Sequence, residues 1–247
     1  MRTTFRLLFV LFLATSPVLA DDRDKALAVI DRAIQTHGGE TALTKAQLMT
    51  RSATGEMTLF DKPVPFKDEM AAQLPDRLRS FVDVGEGDQK LLVLLVINGD
   101  KGWQSAGGAV MELSKERLGE LREEAYIMWL STLAPLKKDT SFHLVPAPDV
   151  KVNGQPAAGV KVSQKGHTDA TLYFDKETGL LVKIARRAQE AGLAVDKEYL
   201  FSAHKEFEGA KLPTKQVEMI NGKKFTEVTS FTYKILRRVD ESMFAKP

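Results

Sequence analysis

The sequence predicts a mainly antiparallel β fold with helices, of the α+β class, on three observations. Apolar and polar residues alternate through most of the chain, as in SATGEMTLF, where Ala53, Gly55, Met57 and Leu59 share one face. The turns between such runs are short and repeatedly carry Asn-Gly, at Asn98-Gly99, Asn153-Gly154 and Asn221-Gly222. They leave no room for the crossover helix that a parallel pair requires. Helical spacing is concentrated near the N-terminus and in one insert near the middle.

The elements follow in order. MRTTFRLLFVLFLATSPVLA has a basic start (Arg2, Arg6), an apolar run from Leu7 to Ala14 and a small-residue exit at Val18-Leu19-Ala20, the three parts of a secretory signal. Residues 1–20 are therefore expected to be cleaved, leaving 21–247 as one domain. From Asp21 to Thr36, Leu27, Ile30 and Ile34 fall at helical spacing, and His37-Gly38-Gly39 is a stop. A shorter helical piece, ETALTKAQ, follows. Period-two strands then run through SATGEMTLF, through VPFKDEMAA with Val64, Phe66 and Met70 on one face, and through RLRSFVDVG.

Leu91 to Ile97 departs from this pattern with seven apolar residues in a row, so something must cover both faces of that strand. An Asn-Gly turn then brings in Trp103. The insert LSKERLGELREEAYIMWLSTLAP reads as a helix with Ser114 as N-cap and Pro135 as stop, Gly119 as a break point, and Leu118, Leu121, Ala125, Met128, Trp129 and Leu133 along one stripe. Strands resume in VKVNGQPAAGVKVSQ, ATLYFDKETGLLVKIARR, KEYLFSAHKEFEGAKLPTKQVEMI and KKFTEVTSFTYKIL, a long antiparallel meander.

Charge excludes some partners. The chain has 35 Lys plus Arg and 33 Asp plus Glu, and the signal removes two arginines and no acid. The exported form is formally neutral at 33 against 33 (35 less two) and holds no basic block, so nucleic acid is not expected as a partner. The absence of cysteine removes disulfides, thiolate chemistry, cysteine metal sites and lipid anchoring at a lipoprotein signal. Beyond the signal no apolar run reaches a membrane span, so a soluble exported protein without a membrane span is expected.

The sequence gives no sign of catalytic chemistry. His37, His143, His167 and His204 lie far apart, without a metal-binding pair. His37 reads as a cation suited to a helix C-terminus, and His167 and His204 as solvated. There is no nucleophile elbow and no phosphate loop; GEGDQK is a turn. Glu123-Glu124 and Asp68-Glu69 read as solvated faces, because adjacent residues point apart. A non-enzymatic protein with no cofactor and no metal is the expectation.

The order of motifs carries a family resemblance. PDRLRSF, INGDKGW and LYFDKETGLLVKI, set between a signal peptide with an amphipathic helix and a closing meander, resemble the superfamily of outer-membrane lipoprotein carriers and receptors, LolA and LolB, from Asp21 to about Phe244. The resemblance implies a curved, incomplete β-barrel closed by the N-terminal helix and the inserted helical lid, with an apolar cavity for lipid or for the acyl chains of lipoproteins, and a periplasmic location. Where the carriers place an Arg directly before the Pro that precedes the second face strand, this chain has Leu74, with Arg77 and Arg79 as nearby substitutes.

Alternation then nominates the ligand-binding residues: Met57, Phe66, Met70 and Phe81 on the early strands, Leu92, Leu94, Val96 and Trp103 around the apolar run, Met128, Trp129 and Leu133 on the insert, and Leu172, Phe174, Phe231 and Tyr233 on the meander. The simplest alternative is that these fill an ordinary core. Two functions follow: a lipid or lipoprotein carrier, or an envelope sensor of the same fold whose partner is a peptide or an envelope protein.

Overall fold

The computed structural model describes residues 17–87 and 90–247. The predicted signal peptide lies for the most part outside the described residues. Helix α1 (Pro17–Thr36) begins four residues before the expected Asp21. Its inward stripe is Ala26, Ile30, Ala33 and Ile34, each at most 1% exposed, with Leu27 only partly buried. Gly38 ends it with φ of 103°, and a Cβ there would sit 1.8 Å from the Gly209 carbonyl oxygen. Left-handed backbone and close approach both demand glycine. Helix α2 (Glu40–Lys45) follows. Among the described residues no helix is long and apolar enough to cross a membrane.

The early strands are β1 (Leu48–Leu59), β2 (Lys62–Gln73), β3 (Arg77–Val84), β4 (Leu91–Asn98), β5 (Lys101–Ala106) and β6 (Ala109–Glu112). After the helical insert come β7 (His143–Val152), β8 (Gln155–Ser163), β9 (Ala170–Asp175), β10 (Leu181–Glu190) and β11 (Leu193–Ser202). The last four are β12 (Lys205–Phe207), β13 (Ala210–Leu212), β14 (Lys215–Ile220) and β15 (Lys223–Ile235). Thirteen of them form one curved sheet in the order β6-β5-β4-β3-β2-β1-β15-β14-β11-β10-β9-β8-β7, and β12 and β13 pair as a separate hairpin. Every pair is antiparallel. The sheet does not close, because β6 and β7 at its two ends do not pair. Strand β6, all exposed in AVME, carries no alternation and was not foreseen.

The insert is two helices, but they do not divide at Gly119 as expected. Ser114 is the N-cap, its hydroxyl accepting from the Arg117 backbone N–H at 3.2 Å, and Gly119 does not interrupt α3 (Lys115–Ser131). The stop is Leu133, at φ of 61°, and Pro135 opens a second short helix, α4 (Ala134–Lys138), instead of ending the first. A proline in the first turn costs no hydrogen bond, since that N–H has no helical partner.

Register assigns the faces of the sheet, because directly opposed residues point to the same side. Arg51, Met70, Ser80, Leu95 and Gln104 are opposed in sequence across β1 to β5 and share the inner face, toward the helices. Ala71, Arg79, Val96 and Trp103 share the outer face. The apolar run of β4 therefore splits into Leu91, Val93, Leu95 and Ile97 inside and Leu92, Leu94 and Val96 outside. Outside, Val96 packs with Ala71 and with Phe244 from a terminal 3-10 turn, Glu241–Phe244. Inside, Ile97 opposes Gly102, whose missing Cβ leaves room for Leu113 and Leu118. Protein thus covers both faces at that end, while Leu91 and Leu92 at the other are 50% and 48% exposed.

The main core joins α1, α3 and α4 to the inner face of β7 to β11 through Phe142, Leu144, Val160, Leu172 and Ile184, all at most 1% exposed. A second inner cluster, Ala53, Phe66, Val84, Val228 and Phe231, lies farther along β1, β2, β3 and β15.

Candidate functional site

A cavity of about 220 Å3 lies on the inner face beneath α3. Its floor is built by in-phase residues of neighbouring strands: Met49 and Arg51 of β1, Tyr233 of β15, Gln216 and Glu218 of β14, Tyr199 and Phe201 of β11. Its roof is one face of α3, Glu124, Ile127, Met128 and Ser131, at the three- and four-residue spacing that puts them together. His37, Leu181, His204, Leu212 and Pro213 form the end wall.

An ionic cluster flanks this cavity and shares Glu124 and Glu218 with its lining. Arg186 and Lys197 stand opposite each other on β10 and β11, with side chains 2% and 5% exposed. Glu124 descends from α3 between them, accepting from Arg186 at 2.5 Å, from Lys197 at 2.9 Å and from the Tyr199 hydroxyl at 2.5 Å. Lys197 also meets Glu190 at 2.6 Å and Glu218 at 3.3 Å. Burial would raise the Glu124 carboxyl, but Arg186, Lys197 and Tyr199 outweigh it and hold it below the usual carboxylate range. At Glu218 burial prevails over Lys197 and pushes the carboxyl up. Burial also pushes the Tyr233 hydroxyl up to about 12, and that hydroxyl donates to the Pro213 carbonyl at 2.9 Å.

On the opposite wall Arg51 reaches Asp68 at 3.3 Å and lies over the Phe231 ring, 4.6 Å from its centre. Asp68 also accepts from the Ser80 hydroxyl at 2.6 Å. Glu124 and Asp68 are thus held in ion pairs on the inner face, contrary to the expectation of solvated carboxylates. The adjacent pairs do point apart: Glu123 turns to His167 at 2.7 Å and Glu69 to Ser52 at 2.7 Å. Each carboxylate here is committed to cations or hydroxyls, an arrangement that positions a helix.

The histidines also differ from expectation. His37 is 3% exposed and sits between β10 and β13. Its Nδ1–H donates to the Lys211 carbonyl at 2.6 Å and its Nε2 accepts from the Leu181 N–H at 3.0 Å, which fixes a neutral ring. Burial lowers its pKa accordingly, so it is no cation on the helix dipole. His204, half-buried instead of fully solvated, packs edge-on against His37 with centroids 5.4 Å apart, and burial pushes it down to about 4. His167 is exposed as expected, stacked on Tyr126.

Of the fifteen residues nominated by alternation, Met128 and Tyr233 line the cavity. Met70, Leu133, Leu172 and Phe174 are buried in the main core, with Trp129 packed against it. Met57, Phe66 and Phe231 belong to the second inner cluster. Leu94, Val96 and Trp103 pack together on the outer face, where Phe81 and Leu92 are 39% and 48% exposed. The split follows from register, which opposes Phe81 to Leu94 and Val96 to Trp103. Arg77 and Arg79 share that outer face and do not replace the carriers' arginine; Arg77 bonds Gln73 and Glu241 instead.

The polar wall was missed, although it leaves a signal in the sequence. In Val195, Lys197, Tyr199 and Phe201 a lysine stands in phase with a buried alternation. Arg186 does so between Ile184 and Ala188, Arg51 between Met49 and Ala53, and Asp68 between Phe66 and Met70. A charge in the apolar phase of a strand marks a buried ionic site.

No family model and no curated protein matches the chain in sequence. Solved structures match its fold. An outer-membrane lipoprotein-sorting protein domain from Vibrio parahaemolyticus superimposes with a TM-score of 0.54 at 15% identity, covering 90% of this chain and 97% of that one. A LolA superfamily protein from Nitrosomonas europaea does so with a TM-score of 0.56 at 10% identity, covering 90% and 97%. The fold is LolA-like. A DUF1329 family protein from Desulfovibrio piger shares it, with a TM-score of 0.53 at 13% identity over 89% and 97% of the two chains. Architecture is what identities this low establish, and the LolA-like fold agrees with the open sheet and inserted helices described above.

Proposed function

We propose that the chain is an exported, non-enzymatic lipid-binding protein of the periplasm, whose mature form, residues 21–247, is one LolA-like domain holding an apolar chain in the cavity beneath α3. The observation that carries this reading is the cavity itself, placed on the inner face under the insert that bridges the two edges of the open sheet. Its apolar surface, from Met49, Ile127, Met128, Phe201, Leu212 and Tyr233, suits a hydrocarbon, and two methionines adapt to chains of different shape. The names of the neighbours from Vibrio and Nitrosomonas support a carrier of lipid or lipoprotein cargo.

Volume sharpens the proposal. A cavity of about 150 Å3 holds the six carbons of benzene, so 220 Å3 scales to roughly nine non-hydrogen atoms. One short chain, or the end of a longer one, fills the cavity as it stands; several acyl chains require α3 to lift. Eight methylenes at about 0.8 kcal/mol each gain about 6 kcal/mol, near the lower end of the cost of association. Chain burial alone therefore binds weakly.

The test is native mass spectrometry and calorimetry of delipidated residues 21–247 with single-chain lipids, beside Met128→Trp, which fills the cavity, and Leu92→Ser, which alters the outer face. Saturable binding lost in Met128→Trp and kept in Leu92→Ser is the expected result. Stripped protein that ignores every acyl ligand sinks the proposal.

A further inference from the structure

Taken one by one, the charged groups lining the cavity leave one, among the described residues, without a counter-ion of its own. Arg51 is paired with Asp68 and lies over the Phe231 ring. Hydrogen bonding holds His37 neutral, and burial disfavours the charged form of His204 beside it. Glu124 has Arg186, Lys197 and Tyr199. Glu218, directly opposite Tyr199 on the inner face, has only Lys197 at 3.3 Å, and that ammonium already holds Glu124 at 2.9 Å and Glu190 at 2.6 Å. The wall beside this carboxyl is Tyr199, directly opposite, with Phe201 next in phase on the same strand.

We propose that the cavity takes an organic cation, a protonated amine on a single apolar body of roughly nine non-hydrogen atoms, with its ammonium on Glu218 and beside the ring of Tyr199. This rests on the reading of the cavity as a site for one apolar chain and names the head group that chain carries. The physical grounds are a choice among three head groups. An anion meets the Glu218 carboxylate, and the arginine on the lining, Arg51, is already paired with Asp68. A neutral alcohol adds nothing to the share of Lys197 that Glu218 already has. An ammonium gives Glu218 a counter-ion of its own, through a charge-assisted bond that a low-dielectric enclosure strengthens. Burial already disfavours the charged form of Glu218, and a bound cation reverses that.

The experiment titrates delipidated protein calorimetrically at pH 7.5 with three probes of matched length, octylamine, octan-1-ol and octanoate. The wild-type series needs no variant; Glu218→Gln, which keeps the shape, supplies the second arm. Octylamine is expected to bind about tenfold to a hundredfold more tightly than octan-1-ol, the range of one hydrogen bond to a charged group, with octanoate weakest. Glu218→Gln should bring the amine down to the alcohol and leave the alcohol unchanged. Octanoate binding as well as the amine, or an amine preference that survives Glu218→Gln, overturns the inference. Equal binding of all three overturns it too, yet leaves the apolar-chain reading standing; if none binds and a hexadecyl chain also fails, both fall.

Discussion

Leu172 and Phe174 on β9 face the same side of the same sheet as Met49 on β1 and Tyr233 on β15, yet the two regions are finished differently. Over β7 to β10, the helices α1 and α4 lay apolar side chains into the strands, and Leu172 and Phe174 are 0% and 1% exposed. Under α3 the in-phase strand residues include Arg186 and Lys197, and the helix answers with Glu124. Interdigitated apolar side chains leave no gap, whereas an ionic contact fixes a helix through a few polar atoms and does not fill the space beside them. The difference teaches where this fold keeps its free volume: next to its buried charges, away from its densest apolar packing.

The largest test of that contrast is Phe174→Ala, which should lower unfolding free energy by about 4 kcal/mol in urea titration and leave cavity binding unchanged once folded. A loss below about 1 kcal/mol would show that the packed half is not packed.

Acid gives the next effect. His204, pushed down to about 4 by burial, and His37, also lowered, are neutral in the folded chain, whereas the unfolded chain takes up protons below pH 6.5. Their contribution to stability is complete above pH 6.5 and is lost as pH falls toward 4, by about 3 kcal/mol for a shift of this size. The loss should shrink in His204→Gln; an identical pH profile in that variant would assign the acid sensitivity elsewhere.

The smallest of the three is Glu124→Ala. Removing it leaves Arg186 and Lys197 buried with less compensation, at a cost of about 2 kcal/mol, below the range for fully buried pairs because Glu124 is one-third exposed. Glu124→Gln, which still accepts from Lys197 and Tyr199, should recover part of it. No change in either variant would mean that solvent already screens the wall and that the two regions differ in packing alone.

Much of the fold was legible because alternation and Asn-Gly turns are local signals. Asn153-Gly154 and Asn221-Gly222 sit in the hairpins they predict, and the strand at Leu91–Asn98 is where seven apolar residues demanded two covers. The helix break expected at Gly119 falls at Leu133, because glycine merely weakens a helix, while a left-handed residue ends one. The site was less legible because alternation gives two faces without saying which is inner. Leu92, Leu94 and Val96 were chosen on the face that register turns outward, and only the pairing of β3, β4 and β5 settles that. Lys197 and Glu218 meet across β11 and β14, which an inserted hairpin separates in the chain, so no short spacing rule joins them.

The insert between β6 and β7 connects the two free ends of the sheet. Helix α3, 17 residues and so about 26 Å long, spans the opening like the string of a bow whose limbs are the sheet. A string cannot slacken while the limbs stay still. Widening the space beneath α3 for a larger guest and relaxing the curvature of the strands are therefore one mechanical coordinate, and stiffness built anywhere into the sheet resists the guest at the mouth.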